Sequence, residues 1–586
     1  MPARARAAPP FSVEDLMSGT EFAQYALFFV VLTVSVKPTG MYLEAVFGEK
    51  PTALDRWFGP LERCVYRLAW VDPAAPMNWR QYASAFAIFT VAGIALLYGI
   101  LEMQAFLPDL GHIQAHFVTP LSADLAANIA VSFATTTTWQ AYAGETTLTY
   151  FSQMAGLVTQ NFLAGAAGLA VGIAFMRGFA RQRTDDLGNF WRDLVRGTVR
   201  ILLPIACVAS LILVWQGVPM NWSPYAAATT LQGDSQIIPQ GPVAALESIK
   251  NLGTNGGGFF NANAAHPYEN PTPLSNLVEM LLIALLPAGL TCTFGRMIGR
   301  PRHGWVLYGI MSALFAAGLA SANWAEHQVP AYVAALHSAA VADGASLEGK
   351  ETRFGVAASV LGAVTTSNGA TGSTNSMHDS FSALGGMVPL LNMLLGEVVY
   401  GGLGTGIYSI VLVILLAAFV GGLMVGRTPV YLQKRIGPDE AKLIAIYHLM
   451  SGAFVLVLTA IAVVTPWGLA GLTTNQGPHG FTSILFTYAS CFSNNGQTFA
   501  GLSVNSPAYN ATTAIAMLGG RFGLAIPALA LAGRFAAQSR RIESAASISP
   551  DSWHFVLLVV GVLLLTAGLT FFPALILGPI AEHLGF

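Results

Sequence analysis

The chain has 586 residues, of which 54% are hydrophobic and only 10% charged, with a mean hydropathy of +0.56 and a formal net charge of -2. Soluble globular domains carry about 25% charged residues, so this is the composition of an integral membrane protein. The near-neutral balance argues against nucleic acid as a partner and against a basic membrane-surface patch.

The N-terminal stretch MPARARAAPPFSVEDLMSG has arginines but no apolar core directly after them, and no small-residue cleavage pattern follows the first hydrophobic stretch. It therefore reads as the lead-in to an uncleaved first helix. A bilayer span needs about 20 apolar residues. Ten stretches qualify, at 21–43, 81–103, 146–176, 197–217, 274–296, 304–325, 405–426, 442–465, 511–535 and 552–576. With the N-terminus outside, the inner segments are 44–80, 177–200, 296–303, 427–442 and 534–551, which hold 21 of the 28 lysines and arginines. The positive-inside rule then puts both termini outside.

Four outer connections each contain a shorter apolar helix-like segment: SADLAANIAVSFA (122–134), PVAALESIKNL (242–252), RFGVAASVLGAVTT (353–366) and GFTSILFTYASC (480–491). Such lengths cannot cross a hydrocarbon core of about 30 Å and predict re-entrant half-helices. Each is followed by a small-polar loop: TTTTWQ, TNGGG, SNGATG and SNNGQTFAG. Three of the loops contain Asn-Gly, at Asn255-Gly256, Asn368-Gly369 and Asn495-Gly496. The spacing gives a fourfold repeat of span, half-helix, loop and span, with a period of roughly 120 residues. The expected division is 1–80 (first helix and inner loop), four units at 81–190, 191–302, 303–436 and 437–545, and a last helix in 546–586.

Non-helical backbone at membrane depth is tolerated only inside protein or along a watery cavity. Four such loops meeting on one axis would present rings of carbonyl oxygens, the ligand set that replaces the hydration shell of a monovalent cation. A single Gly-rich loop usually marks only a turn; four in equivalent positions argue for the ring. In the second loop, Asn255, Asn261 and Asn263 are expected to brace backbone. The third unit's second span, 377–424, is about twice the needed length and carries Gly385, Gly386, Pro389, Gly401 and Gly402. It should break in mid-membrane and act as a gate or line a side passage.

Ionisable residues at membrane depth are candidates for function. Arg521 reads either as a partner of a carbonyl or acid, or as a charge that holds cations back or releases them. Glu397 reads as a pathway residue or a buried hydrogen-bond partner. Arg427 reads as an interfacial anchor. Glu102, Glu145 and Glu279 lie near outer span ends, where a cation-gathering vestibule and simple solvation are both open. The cysteines Cys64, Cys207, Cys292 and Cys491 have neither disulfide nor zinc spacing and read as small buried apolar residues. There is no Walker A motif, no DKTG-like segment, no HExxH and no GxSxG. A membrane-embedded enzyme is therefore disfavoured, and any ATP hydrolysis must belong to another polypeptide.

The strings GTNGGGFFNANAAHPYENPTPL, AGETTLTYFSQMAGL, MHDSFSALGGMVP and SNNGQTFAGL closely resemble the KdpA family, the potassium-binding subunits of bacterial Kdp ATPases, over nearly the whole chain. The resemblance implies an all-α polytopic fold with four M1-P-M2 units, as in potassium channels and Trk/Ktr-type transporters. It also implies high-affinity K+ uptake across the bacterial inner membrane, with K+ as the transported ion, no nucleotide on this chain, and KdpB, KdpC and KdpF as partners alongside membrane lipids. KdpB would carry the phosphorylated aspartate. By position, the implied filter is Thr136, Thr137 and Thr138; Thr254, Asn255 and Gly256; Ser367, Asn368 and Gly369; and Asn494, Asn495 and Gly496. Gln140 matches a position linked to affinity, and Arg427 and Arg521 match arginines linked to gating or passage below the filter. TTTT in the first loop and SNG in the third depart from the family's usual residues. The ion would leave through a tunnel above the broken third-unit helix or straight to the cytoplasm. The alternative is a stand-alone channel or ion-coupled symporter of the same superfamily.

Overall fold

The computed structural model describes residues 18–48, 50–52, 55–328, 341–342, 345–424, 426, 428–540 and 549–585. Ten helices among them are long and apolar enough to cross a membrane, and all ten coincide with the stretches expected from hydropathy. Helix α1 (Gly19–Phe47) is followed by a short helix, α2 (Asp55–Leu68), that lies outside the spans. The first unit comprises α3 (Trp79–Glu102), the half-helix α4 (Ala123–Ala134) and α5 (Ser152–Ala180). The second comprises α6 (Phe190–Gln216), α7 (Val243–Leu252) and α8 (Pro273–Met297).

The third unit runs through α9 (Pro301–Glu326) and α10 (Gly355–Asn368) to a second span in two pieces, α11 (Ala383–Leu394) and α12 (Thr405–Met424). The fourth comprises α13 (Pro438–Val464), α14 (Gly477–Phe492) and α15 (Pro507–Ala537), and α16 (Trp553–His583) ends the chain's described helices. Strand structure is confined, among the described residues, to three two-stranded hairpins.

The half-helices α4, α7, α10 and α14 have 12, 10, 14 and 16 residues. At about 1.5 Å per residue none spans a bilayer. All four are nonetheless among the most enclosed parts of the molecule, because their non-helical continuations must be shielded from lipid. The spans around them divide by role. Within its most apolar stretch α5 is 89% buried and α8 78%, whereas α13 and α16 are each 22% buried; the former pack around the loops and the latter leave apolar faces open to lipid.

The break in the third unit falls at 395–404, between α11 and α12. Gly385, Gly386 and Pro389 lie inside α11 instead, so only the later glycines interrupt the span. Glu397, Tyr400 and Gly404 have positive φ there (56°, 47° and 85°). The turn presses so tightly on α5 that a Cβ on Gly404 would overlap the carbonyl of Gly168. Two cysteines are also placed differently from expectation. Cys292 and Cys491 are buried, but Cys64, on α2, and Cys207, on α6, are exposed.

Candidate functional site

The four half-helices end in the same backbone device: two left-handed residues separated by one ordinary residue. The pairs are Thr136 and Thr138 (φ 68° and 47°), Thr254 and Gly256 (50° and 102°), Ala370 and Gly372 (49° and 78°), and Asn494 and Gly496 (52° and 85°). A left-handed residue swings its peptide away from the helical direction, so the carbonyls of each triple leave the helix's own ladder. Among the described residues, only one carbonyl in these triples accepts a hydrogen bond: that of Asn255, from the Thr138 hydroxyl.

The triples close into a ring, the first loop meeting the second, the second the third, the third the fourth and the fourth the first. A Cβ on Gly257 would overlap the carbonyl oxygen of Thr138, one on Gly256 that of Thr371, one on Gly372 that of Asn495, and one on Gly496 that of Thr137. Side chains stitch the seams. The Thr138 hydroxyl accepts the N–H of Gly257 at 2.6 Å, Asn494 Nδ2 donates to Thr137 Oγ1 at 2.9 Å, and Asn495 Nδ2 donates to the carbonyl of Ser367 at 3.0 Å. Gln140 exchanges two bonds with the peptide of Gly258, donating to its carbonyl at 3.0 Å and accepting its N–H at 3.1 Å.

This geometry moves the third triple. Ser367 and Asn368 belong to α10, with side chains bonded to their own helix at Ala363 O (2.7 Å) and Val364 O (2.9 Å), and Gly369 has an ordinary φ of -75°. The residues equivalent to Thr254, Asn255 and Gly256 are Ala370, Thr371 and Gly372. The Asn-Gly pair at 368–369 imitates the other loops, but α10 runs on to Asn368, two residues past the 366 at which that reading ends it. In the other three loops the left-handed pairs fall on the first and last residues of the triples that the resemblance implies, Thr136 and Thr138, Thr254 and Gly256, and Asn494 and Gly496.

Two cavities flank the ring. On one side is a cavity of about 870 Å³ lined by Thr138, Gln140, Gly257, Gly372, Gly496 and the segment around Lys350. On the other is a chamber of about 10 Å³, room for one water-sized body, lined by Thr136, Thr254, Ala370 and Asn494. One residue from each loop therefore faces the chamber, and Ser367, Asn368 and Gly369 line neither space.

Arg521 and Glu397 complete the chamber. The Arg521 guanidinium donates to Thr136 Oγ1 at 3.1 Å and to the carbonyl of Ala164 at 2.9 Å, and lies over the Phe86 ring. Both alternatives for Arg521 thus remain physically served: it binds a carbonyl and it holds a charge below the ring. Glu397 is 3% exposed, and its Oε1 has no hydrogen-bond partner. It also lines a separate cavity of about 60 Å³ bounded by Met393, Ser409, Tyr447, His448 and Thr566. Arg427 lies outside the described residues.

The remaining candidates fall as follows. Glu102 is exposed. Glu145 accepts the N–H of Asn261 at 3.0 Å, and burial raises its carboxyl above the usual range. Glu279 is fully buried with neither oxygen hydrogen-bonded, so simple solvation does not describe it. The Asn255 carboxamide has no hydrogen-bond partner and does not brace the loop as expected; Asn263 does reach Lys250 Nζ, at 3.5 Å.

Sequence reasoning missed the support behind the second loop. Lys250, on α7, ion-pairs with Glu269 and with Glu247 (2.6 Å), all three side chains being 0% exposed. Its carbonyl accepts the N–H groups of Asn255 (2.8 Å) and Gly256 (3.1 Å). The signal was present in ESIK, a lysine three residues after a glutamate inside an apolar half-helix. Also missed was His378. It is buried beside Lys350, which together hold it neutral with its pKa down to about 3, and its Nδ1 accepts from Gln497 Nε2 at 2.7 Å, next to Gly496.

A family model described as the potassium-transporting ATPase A subunit, KdpA, matches residues 26–584. Similar proteins named potassium-transporting ATPase potassium-binding subunit occur in Methylobacterium nodulans (51% identical over 563 residues, 96% of this chain and 97% of that one) and in Mesorhizobium japonicum (48% over 561 residues, 96% and 97%). Another, in Rhodopseudomonas palustris, is 48% identical over 562 residues, covering 96% and 98%.

Proposed function

The chain belongs to the family of potassium-transporting ATPase A subunits, KdpA, and from that premise we propose that it binds K+ at the four-loop ring and passes it on within an ATP-driven uptake complex. The observation that carries this reading is the ring of carbonyls, all but that of Asn255 free of hydrogen bonds among the described residues, between a wide cavity and a chamber lined by one residue of each loop. The filter consists of Thr136, Thr137 and Thr138; Thr254, Asn255 and Gly256; Ala370, Thr371 and Gly372; and Asn494, Asn495 and Gly496. An entering K+ exchanges its water shell for these oxygens, and the C-terminal ends of four half-helices add a field that favours a cation.

Below the ring the fixed charge of Arg521 opposes further straight descent. Glu397, facing both the chamber and the cavity beside Tyr447, offers a carboxylate to one side. We therefore read the exit as lateral, through the break between α11 and α12, toward a partner that hydrolyses ATP. In the family's terms that partner is KdpB, with KdpC and KdpF completing the complex, and this chain is not catalytic by itself. The chain lies in the bacterial inner membrane with both termini outside. A self-sufficient channel or symporter is not favoured, because the relatives are named as subunits of an ATPase.

Gly256→Asp tests the site, since it places a carboxylate and a Cβ against the carbonyl of Thr371. In the assembled complex, K+-stimulated ATP hydrolysis should lose its affinity and its preference for K+; wild-type affinity and selectivity would sink the assignment.

A further inference from the structure

Helix α2 wears its polarity inside out. The side packed on the protein is charged: Glu62, 4% exposed, accepts Arg196 Nε at 3.0 Å and Arg200 Nε at 2.6 Å, Asp55 accepts Arg200 Nη1 at 2.5 Å, and the Tyr66 hydroxyl donates to Glu62 at 2.7 Å. The outward side is apolar, with Trp57 75%, Leu61 43% and Leu68 75% exposed, and Trp70 just beyond at 95%. A helix facing water does the reverse.

At about 100° per residue, Trp57, Leu61, Cys64 and Leu68 fall in one narrow stripe. Arg56, Arg63 and Arg67 fall in a second stripe beside it, all exposed, and none pairs with a carboxylate among the described residues. The ion pairs also fix the helix's height. Arg196 and Arg200 lie at the start of α6, and Arg196 Nη1 donates to the carbonyl of Val46 at the end of α1. The helix is thus strapped where two spans end, which is headgroup depth. An apolar stripe flanked by unpaired arginines at that depth is the pattern of a helix lying in the interface, and its charge complements acidic headgroups.

We propose that α2 is an anchored binding site for anionic phospholipid, with Arg56, Arg63 and Arg67 taking headgroup phosphate oxygens and Trp57, Leu61 and Leu68 set among the acyl chains. Cys64 lies in the apolar stripe and is a natural reporter. A nitroxide can be placed on it in a Cys207→Ser background, since Cys292 and Cys491 are buried. The labelled chain, assembled with its ATPase partner, is compared in discs of phosphatidylcholine with and without phosphatidylglycerol.

The label should be more accessible to oxygen than to a water-soluble nickel chelate. Arg56→Gln, Arg63→Gln and Arg67→Gln together should lower the site's preference for phosphatidylglycerol by roughly ten- to a hundredfold. Should the triple variant not assemble, raising the salt on the wild-type complex should reduce the same preference by screening. Nickel access equal to that of a label in water, protection from both reagents as under a protein partner, or a preference indifferent to both charge removal and salt would each overturn the proposal.

Discussion

Lys250 and Glu269 form a fully buried ion pair pressed against the peptide of Gly258, so close that a Cβ on that glycine would lie 2.5 Å from the ammonium nitrogen and 2.6 Å from Glu269 Oε1. The same peptide is held from the other side by Gln140, and Glu269 Oε1 also accepts the N–H of Phe260 at 2.9 Å. The second loop is therefore clamped between the first loop and a buried charge. Lys250→Met leaves Glu247 and Glu269 buried without their cation, a change that typically costs about 3–5 kcal/mol. Thermal unfolding of the assembled complex should show a loss of that order. Glu269→Gln keeps an acceptor for Phe260 N, so it should unfold later than Lys250→Met while still raising the K+ concentration needed for half-maximal ATP hydrolysis.

The placement of the third triple separates two neighbouring glycine-containing strings. Gly372→Ala forces a left-handed alanine and drives its Cβ into the carbonyl of Asn495, displacing two loops at once. A backbone misfit worth about 1.4 kcal/mol is tenfold in affinity, and at least that loss is expected in K+ activation. Ser367→Ala removes only a hydroxyl shared between two carbonyls of its own helix, Ala363 and Val364, and a bond from Asn392, a change of about 1 kcal/mol in stability, and should leave K+ affinity near wild type. Equal effects of the two substitutions on affinity would return the third triple to 367–369.

Below the ring, Arg521→Gln keeps donors for Thr136 and the carbonyl of Ala164 but removes the charge. If that charge is what blocks straight descent, proteoliposomes holding the assembled variant should pass K+ without ATP while retaining K+ binding. A tight variant with wild-type coupling would assign Arg521 to structure alone.

On the wide-cavity side, His479 sits between Asp379 at 3.0 Å and Glu582 at 2.9 Å. Burial works against its charge, but the two carboxylates prevail and push its pKa up to about 9. A folded value above the ordinary one of about 6.5 means that this stabilisation is complete below that value and is lost as pH rises through about 9. The unfolding midpoint of the wild-type complex should fall between neutral and pH 10, and His479→Gln should remove most of that slope. An unchanged slope would show that the pair is already broken in the assembled protein.

Ten spans and four half-helices were legible because length and hydropathy decide them: lipid admits few alternatives for a backbone that must satisfy its own hydrogen bonds. The ring's glycines were legible in two loops, since Gly256 and Gly496 stand where a Cβ has no room. The third loop misled because Asn368-Gly369 matches Asn255-Gly256 in letters while α10 holds both in the hydrogen-bonded helix and its final turn. Only backbone angle distinguishes them, although Gly372 continues the spacing of Thr138, Gly256 and Gly496. Half of the Lys250 cluster was readable, as Glu247 three residues before Lys250 on one helix; Glu269 escaped because it lies across the loop, and pairing across a loop has no periodicity to read. The outward stripe of α2 escaped because sequence gives an amphipathic helix its two faces but not which one meets the protein.

On the proposed function, K+ is held by one carbonyl-bearing triple from each loop, with Ala370, Thr371 and Gly372 as the third. Ion density in a high-resolution map of the assembled complex, recorded with K+ and again with K+ replaced by a larger organic cation, tests it most directly. K+-dependent density is expected on the axis of the four triples, within ligand distance of carbonyls at 370–372, above the chamber closed by Arg521. Density coordinated by residues 367–369, or an axis empty in K+ with density only beside Glu397, would contradict it.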